Sequence, residues 1–163
     1  PSIEAKESGR AKQDKVERHF IRKKWWTQLV ANSAAKSHAH ISPSMNSWIA
    51  TSSGTRGLDL VYVANKSNSG AELYIDRGKD SQEENKIIFD QLKTFQDQID
   101  SNIDSFVDWQ RLDSRRACRI RIDFDGGYRS PEDQWPQIQE KMIRAMNQLE
   151  VALKPALQAL KVT

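Results

Sequence analysis

Between Gly57 and Gly78 the chain reads GLDLVYVANKSNSGAELYIDRG: two runs of β-favouring residues, Leu58–Ala64 and Ala71–Arg77, around a polar Asn65–Gly70. Turn-forming Asn, Ser and Gly between two such runs predict a β-hairpin. With Ala64 set opposite Ala71, Leu60 and Tyr62 share one face with Leu73 and Ile75, and that face is core. The other face is mixed. It carries Asp59, Val61 and Val63 with Glu72, Tyr74 and Asp76, and in this register Asp59 lies opposite Asp76.

The remaining segments are read around this hairpin. Residues 1–10 mix charge with small residues without a period and are expected to be a linker or frayed tail, leaving residues 11–163 as a single domain. From Ala11, Val16, Phe20 or Ile21, Trp25 and Leu29 recur at helical spacing, on a helix made basic by Lys12, Lys15, Arg18, Arg22, Lys23 and Lys24. A strand is expected over Trp48–Ser52. Ser81-Gln82-Glu83-Glu84 has capping-box spacing, and it opens a helix with Ile88, Leu92, Phe95, Ile99 and Ile103 as its buried stripe. Phe106–Leu112 reads as a fourth strand. Arg116–Asp125 alternates Cys118, Ile120, Ile122 and Phe124 against Arg119, Arg121, Asp123 and Asp125, as a half-buried strand does. A last helix runs from Ser130-Pro131 to about Leu160, with Pro155 expected to bend or interrupt it.

The fold class is therefore α+β, in the order α-β-β-β-α-β-β-α: a mostly antiparallel five-stranded sheet flanked by three helices. The middle helix is a candidate crossover that would make strands three and four parallel neighbours.

Composition excludes some functions. At 37% hydrophobic and 29% charged residues the chain is globular, and its formal charge of +3 permits a polyanionic partner without requiring one. The single cysteine, Cys118, rules out an internal disulfide and fits a reducing compartment, so a cytoplasmic location is expected. No apolar run approaches the roughly 20 residues that cross a bilayer, so no membrane partner is expected. A first residue of proline reads as a piece of a longer polypeptide or the product of tag removal.

Two chemistries compete. The basic residues Arg115, Arg116, Arg119, Arg121 and Arg129, near the fifth strand, and Arg22, Lys23, Lys24, Trp25 and Trp26 on the first helix form a candidate nucleic-acid-binding set, for DNA or RNA. The bland reading of the same arginines is charge neutralisation of Asp59, Glu72, Asp76, Asp123 and Asp125 within the fold. Asp59, Glu72 and Asp76 are the alternative catalytic and metal-binding set, which needs Mg²⁺ or Mn²⁺. His38 and His40 lack a third ligand nearby, Cys118 faces the core, and the Ser52–Gly57 loop leads into a strand where a nucleotide fingerprint needs a helix.

The first six elements, α-β-β-β-α-β, resemble the restriction-endonuclease-like core. There an acid on the second strand and an acid-any-Lys triplet on the third hold the metal. Asp59 and Glu72 match the acids, but Glu72-Leu73-Tyr74 lacks the lysine, which puts hydrolysis in doubt. The patterns Ile41-Ser42-Pro43-Ser44 with Trp48, Glu72–Gly78, Glu84-Asn85-Lys86, Trp109–Asp113, Arg119-Ile120 and Trp135-Pro136 resemble a bacterial and archaeal domain of unknown function. That resemblance implies a C-terminal domain of nuclease-like proteins among restriction or phage-defence systems, with the nuclease-like N-terminal region as partner. It brings no catalytic residues. The expectation is a non-catalytic recognition module, with a diverged nuclease, or a structural domain that dimerises through the final helix, as alternatives.

Overall fold

The computed structural model describes residues 3–162. Helix α1 spans Ile3–Ala31; strands β1 (Trp48–Thr55), β2 (Leu58–Ala64) and β3 (Asn68–Ile75) follow as a meander. Then come α2 (Gln82–Lys93), α3 (Gln96–Ser101), β4 (Asp108–Gln110), β5 (Cys118–Asp125) and, after a short 3₁₀ turn, α4 (Trp135–Gln158). The five strands form one sheet in the order β1-β2-β3-β5-β4, with every neighbouring pair antiparallel.

One face of the sheet is apolar because period-two alternation places Leu58, Leu60, Tyr62, Leu73, Ile75, Ile120 and Ile122 on it. Helix α4 lies across β2, β3 and β5 on this side, and its Met142, Met146, Leu149 and Leu153 complete the core. The C-terminal end of α1 docks on α4. Trp25 meets Trp135 edge-on at 5.1 Å, and Gln139 Nε2 donates to the Trp25 carbonyl at 3.0 Å. Trp26 Nε1 donates to the Asn46 carbonyl at 2.8 Å, tying α1 to the entry of β1.

Several expectations change. Residues Ile3–Arg10 are helical, so α1 begins inside the segment read as a linker; residues 1 and 2 lie outside the described part. The hairpin turns two residues tighter than expected. Leu58 faces Ile75, Asp59 faces Tyr74 and Ala64 faces Ser69, so the two faces keep their members while Asp76 falls beyond the strand. Strands β3 and β4 point the same way but are not neighbours, because β5 enters between them. The middle helix breaks at Thr94–Phe95 into α2 and α3, and the fourth strand shrinks to three residues. Helix α2 starts where expected, but without a capping box. The Ser81 hydroxyl donates to the Gly78 carbonyl at 2.5 Å, and Glu84 pairs with Arg77 at 2.9 Å. Pro155 sits in the last turn of α4, which runs on to Gln158.

Candidate functional site

The second face of the sheet holds the polar residues, and the register arranges them in rows. Ala50, Val61, Glu72, Arg121 and Asp108 stand side by side across all five strands; the next row is Ser52, Asp59, Tyr74, Arg119 and Gln110. Between them lies a cleft of about 560 Å³ whose lining, among the described residues, comes from the strands and Asn65 alone. Trp48 and Tyr74 stand at its edges, half-exposed, over a floor of Ala50, Val61 and Val63.

Glu72 is only 3% exposed at the centre of this face. Arg121 Nη1 reaches its Oε1 at 3.1 Å, while Arg121 Nε donates to Asp123 at 2.6 Å. Gly70 makes room for this. A Cβ there would meet the Ile122 carbonyl at 2.7 Å and the Arg121 guanidinium at 3.3 Å. Glu72 Oε2 lies 3.9 Å from Arg119 Nε, too far for a hydrogen bond, and neither atom has a hydrogen-bond partner among the described residues. Burial pushes the Glu72 carboxyl above its ordinary range, with Arg121 and Arg119 pulling it part of the way back. Burial also raises Asp59.

The three carboxylates of the nuclease reading do not converge. Asp76 is engaged elsewhere, accepting from Arg116 Nη2 at 2.8 Å and from the Gly78 N–H at 3.0 Å. Burial acts to raise it, but these hydrogen bonds outweigh that and hold it below the usual carboxylate range. Among the described residues no group of three or more His, Cys, Asp or Glu is placed to hold a metal ion. His38 is wholly buried between Ser37, at 2.7 Å, and the Leu60 carbonyl, at 3.0 Å, with its ring against Tyr62. Desolvation lowers it to about 4, so the neutral ring donates from Nε2 to Leu60 and accepts at Nδ1 from Ser37. His40 instead meets Thr51.

The basic set divides as well. On or near β5, Arg116 and Arg121 are occupied by acids of the fold and Arg119 stands beside Glu72, whereas Arg115 and Arg129 are exposed. Trp25 and Trp26 are 0% exposed, so neither can stack a base from solvent. Arg22 lies over the Tyr128 ring at 5.4 Å, and Lys24 pairs with Glu132; Lys23 is exposed. Further positive charge lies along the rest of α1. Helix α1 holds eight Lys and Arg against four Asp and Glu, while the rest of the chain has 17 against 18. Lys6, Arg10, Lys12 and Lys15 are all exposed and make no ion pair among the described residues. Two apolar side chains, Val16 at 67% and Phe20 at 69%, are exposed on the same helix.

A family model for a domain of unknown function (DUF4268) matches residues 21–157. The chain belongs to that family. Comparison with curated proteins and with solved structures finds no match. The match takes in the whole DUF4268 sheet, the open-face cleft and the docked end of α1, and it leaves out the basic overhang before Ile21. No helix among the described residues is long and apolar enough to cross a membrane.

Sequence reasoning missed one group in the DUF4268 domain. Lys86 is buried and donates from Nζ to the carbonyls of Arg111 at 2.7 Å, Leu112 at 2.9 Å and Ala117 at 3.0 Å. Its neighbour Asn85 accepts from the Arg77 N–H at 3.0 Å and donates to the Arg116 carbonyl at 3.1 Å. Together they fasten the β4–β5 connection to α2. Asn-Lys inside an amphipathic helix, on its apolar side, was the available signal: a buried ammonium needs several acceptors around it. A larger hollow of about 790 Å³ between Asn32 and the Gln137–Gln148 stretch of α4 has no buried, unpartnered polar atom among its lining residues.

Proposed function

We propose that this DUF4268 domain is a non-catalytic recognition module, and that its nucleic-acid contact is made by α1 and not by β5. The observation that carries this reading is the segregation of charge: the helix has a surplus of four positive charges and the remainder of the chain a deficit of one. Polyanion binding depends on clustered charge that is not already neutralised, and the exposed Lys6, Arg10, Lys12, Lys15 and Lys23 meet that condition. A long helix that is polar all round at its free end is expected to lie against a partner or bridge to one. The resemblance to C-terminal domains of nuclease-like restriction or phage-defence proteins supports a bacterial defence setting, in which the nuclease-like region of the same polypeptide is the further partner.

The diverged-nuclease alternative has little support, since Asp76 is turned away from Asp59 and Glu72. Dimerisation through α4 is also weakly supported, because the apolar stripe of that helix is already used against the sheet. The test is a salt titration of duplex and single-stranded DNA and RNA binding by fluorescence anisotropy, for the chain and for a variant with Lys6, Arg10, Lys12 and Lys15 changed to Glu. Contact with about four phosphates gives a log–log salt slope of about −3.6 on duplex DNA, and the variant flattens it. Absence of binding at low salt overturns the reading.

A further inference from the structure

The open-face cleft contains a pair of atoms whose needs are unmet by the fold. Glu72 Oε2 is an acceptor and Arg119 Nε a donor; both are buried, both lack a hydrogen-bond partner among the described residues, and they stand 3.9 Å apart. An unpaired buried polar atom is costly, and a native fold rarely keeps two side by side. A group that satisfies both donates to the carboxylate and accepts from the guanidinium; a water does this through one oxygen, and an organic ligand does it through neighbouring atoms. A ring N–H next to a ring carbonyl has this arrangement.

The surroundings narrow the ligand further. Val61 and Val63 give the cleft an apolar floor, and Trp48 and Tyr74 offer aromatic surface at its edges, Trp48 being 50% exposed. Such walls favour a flat aromatic ring over a flexible chain. The lining sets the carboxylates of Asp59 and Glu72 against Arg119 and Arg121, and Arg121 is also paired with Asp123, so the cleft has no surplus positive charge to hold a phosphate. A volume of about 560 Å³ is that of a small-molecule pocket. Entry requires the Arg119 side chain, which is partly exposed, to swing aside.

We infer that this cleft binds a planar heterocycle through a lactam edge, the edge presented by guanine, uracil and thymine, with Glu72 accepting its N–H and Arg119 donating to its carbonyl. The inference goes beyond the α1 reading and does not rest on it. A neutral nucleoside carries no phosphate, so its binding is insensitive to salt while that of α1 falls steeply with salt, and either can fail without the other.

The test titrates the 163-residue chain with guanosine, uridine, adenosine and cytidine, following tryptophan fluorescence and the Trp48 indole N–H signal. Guanosine and uridine are expected to bind at least tenfold more tightly than adenosine and cytidine, with the Trp48 signal shifted. Glu72→Gln is expected to abolish that preference. Trp48→Ala, at a half-exposed position that should leave the fold intact, is expected to weaken the preferred nucleosides about tenfold. Homopolymer strands separate the sources: preference for oligo-dT over oligo-dA identifies an unpaired base of a strand as ligand, and nucleoside binding without strand binding identifies a free nucleoside. Equal affinity for all four nucleosides, an unmoved Trp48 signal, or an ordered water alone bridging Glu72 and Arg119 in a crystal grown with guanosine would overturn the inference.

Discussion

On the side of the sheet under α4, Leu60, Tyr62, Leu73 and Ile120 are buried because helices lie on them. On the opposite side Val61 and Glu72 are nearly as inaccessible, yet Val61 belongs to no part of the main core cluster and no helix residue lines the cleft above it. The long side chains of neighbouring strands cover that face instead, with Arg121 laid over Gly70 toward Glu72. The comparison teaches that depth and protection differ. Burial under a helix is fixed by the global fold, whereas burial under an arginine lasts only as long as the arginine keeps its partner.

Arg121→Ala should give the sharpest break of that symmetry. It takes from the buried Glu72 its hydrogen-bonded cation and leaves Arg119 at 3.9 Å, for which the expected loss is about 3–5 kcal/mol, as large as that of Leu73→Ala under the helices at about 2–5 kcal/mol. Chemical denaturation measures both. The double variant Glu72→Leu with Arg121→Met should recover most of the loss, since a buried ion pair replaced by apolar residues of similar size is often neutral or stabilising. A double variant no more stable than Arg121→Ala would mean that the face needs its charges to fold.

The two faces should also differ in the sign of their pH dependence. His38, beneath the covered face, has its folded pKa lowered to about 4 from 6.5. Its contribution is complete above the unfolded value and is lost as pH falls from 6.5 toward 4, by about 3 kcal/mol in all. Glu72, on the open face, has its folded pKa raised, so its contribution is present below the unfolded value and is lost as pH rises through the folded one. Denaturation at a series of pH values should lose its acid-side slope in His38→Gln and its opposing slope in Glu72→Gln. A His38 ring resonance titrating near 6.5 in the folded chain would contradict the first half.

The membership of each face was legible because alternation along Leu58–Ala64 and Arg116–Asp125 depends on nothing outside those strands. The hairpin register was not, because a distant segment sets it. The N–H groups of Gly126, Tyr128 and Arg129 donate to the carbonyls of Ser67, Asn65 and Lys66, strapping the turn, and a Cβ on Gly127 would overlap the Asn65 carbonyl. The same limit applies to the candidate site. Asp59, Glu72, Arg119 and Arg121 could be singled out as chemistry-bearing residues, but only the order β3-β5 brings Glu72 opposite Arg121 and Tyr74 opposite Arg119. Trp25 and Trp26 looked available for stacking because a helical pattern does not reveal which neighbour, here Trp135, closes over it.

A smaller effect is expected at Asp76, which bridges the end of β3 to Arg116 and to the turn before α2. Asp76→Ala removes the acceptor for the Gly78 N–H and the Arg116 guanidinium, at about 1–3 kcal/mol. Because its folded pKa is lowered, this contribution is present above the unfolded value and fades as pH falls through the folded one. Asp76→Asn should keep part of it at neutral pH. Equal losses for Ala and Asn would assign the whole effect to charge.

The smallest expected effect divides α1 as the sheet is divided. Its docked end carries Trp25, Trp26 and Leu29, all fully buried, while Val16 and Phe20 meet solvent. Phe20→Ser should therefore change stability by no more than about 0.5 kcal/mol, against about 3–5 kcal/mol for Trp25→Ala. An exposed phenylalanine one helical turn before Lys23 and Lys24 that contributes nothing to the fold is free to contribute to contact with a partner. If Phe20→Ser leaves the melting temperature unchanged yet weakens nucleic-acid binding, α1 meets its partner through apolar as well as charged groups. A matching loss of stability would mean that this part of the helix is packed against the fold in solution, and the division between its two ends would disappear.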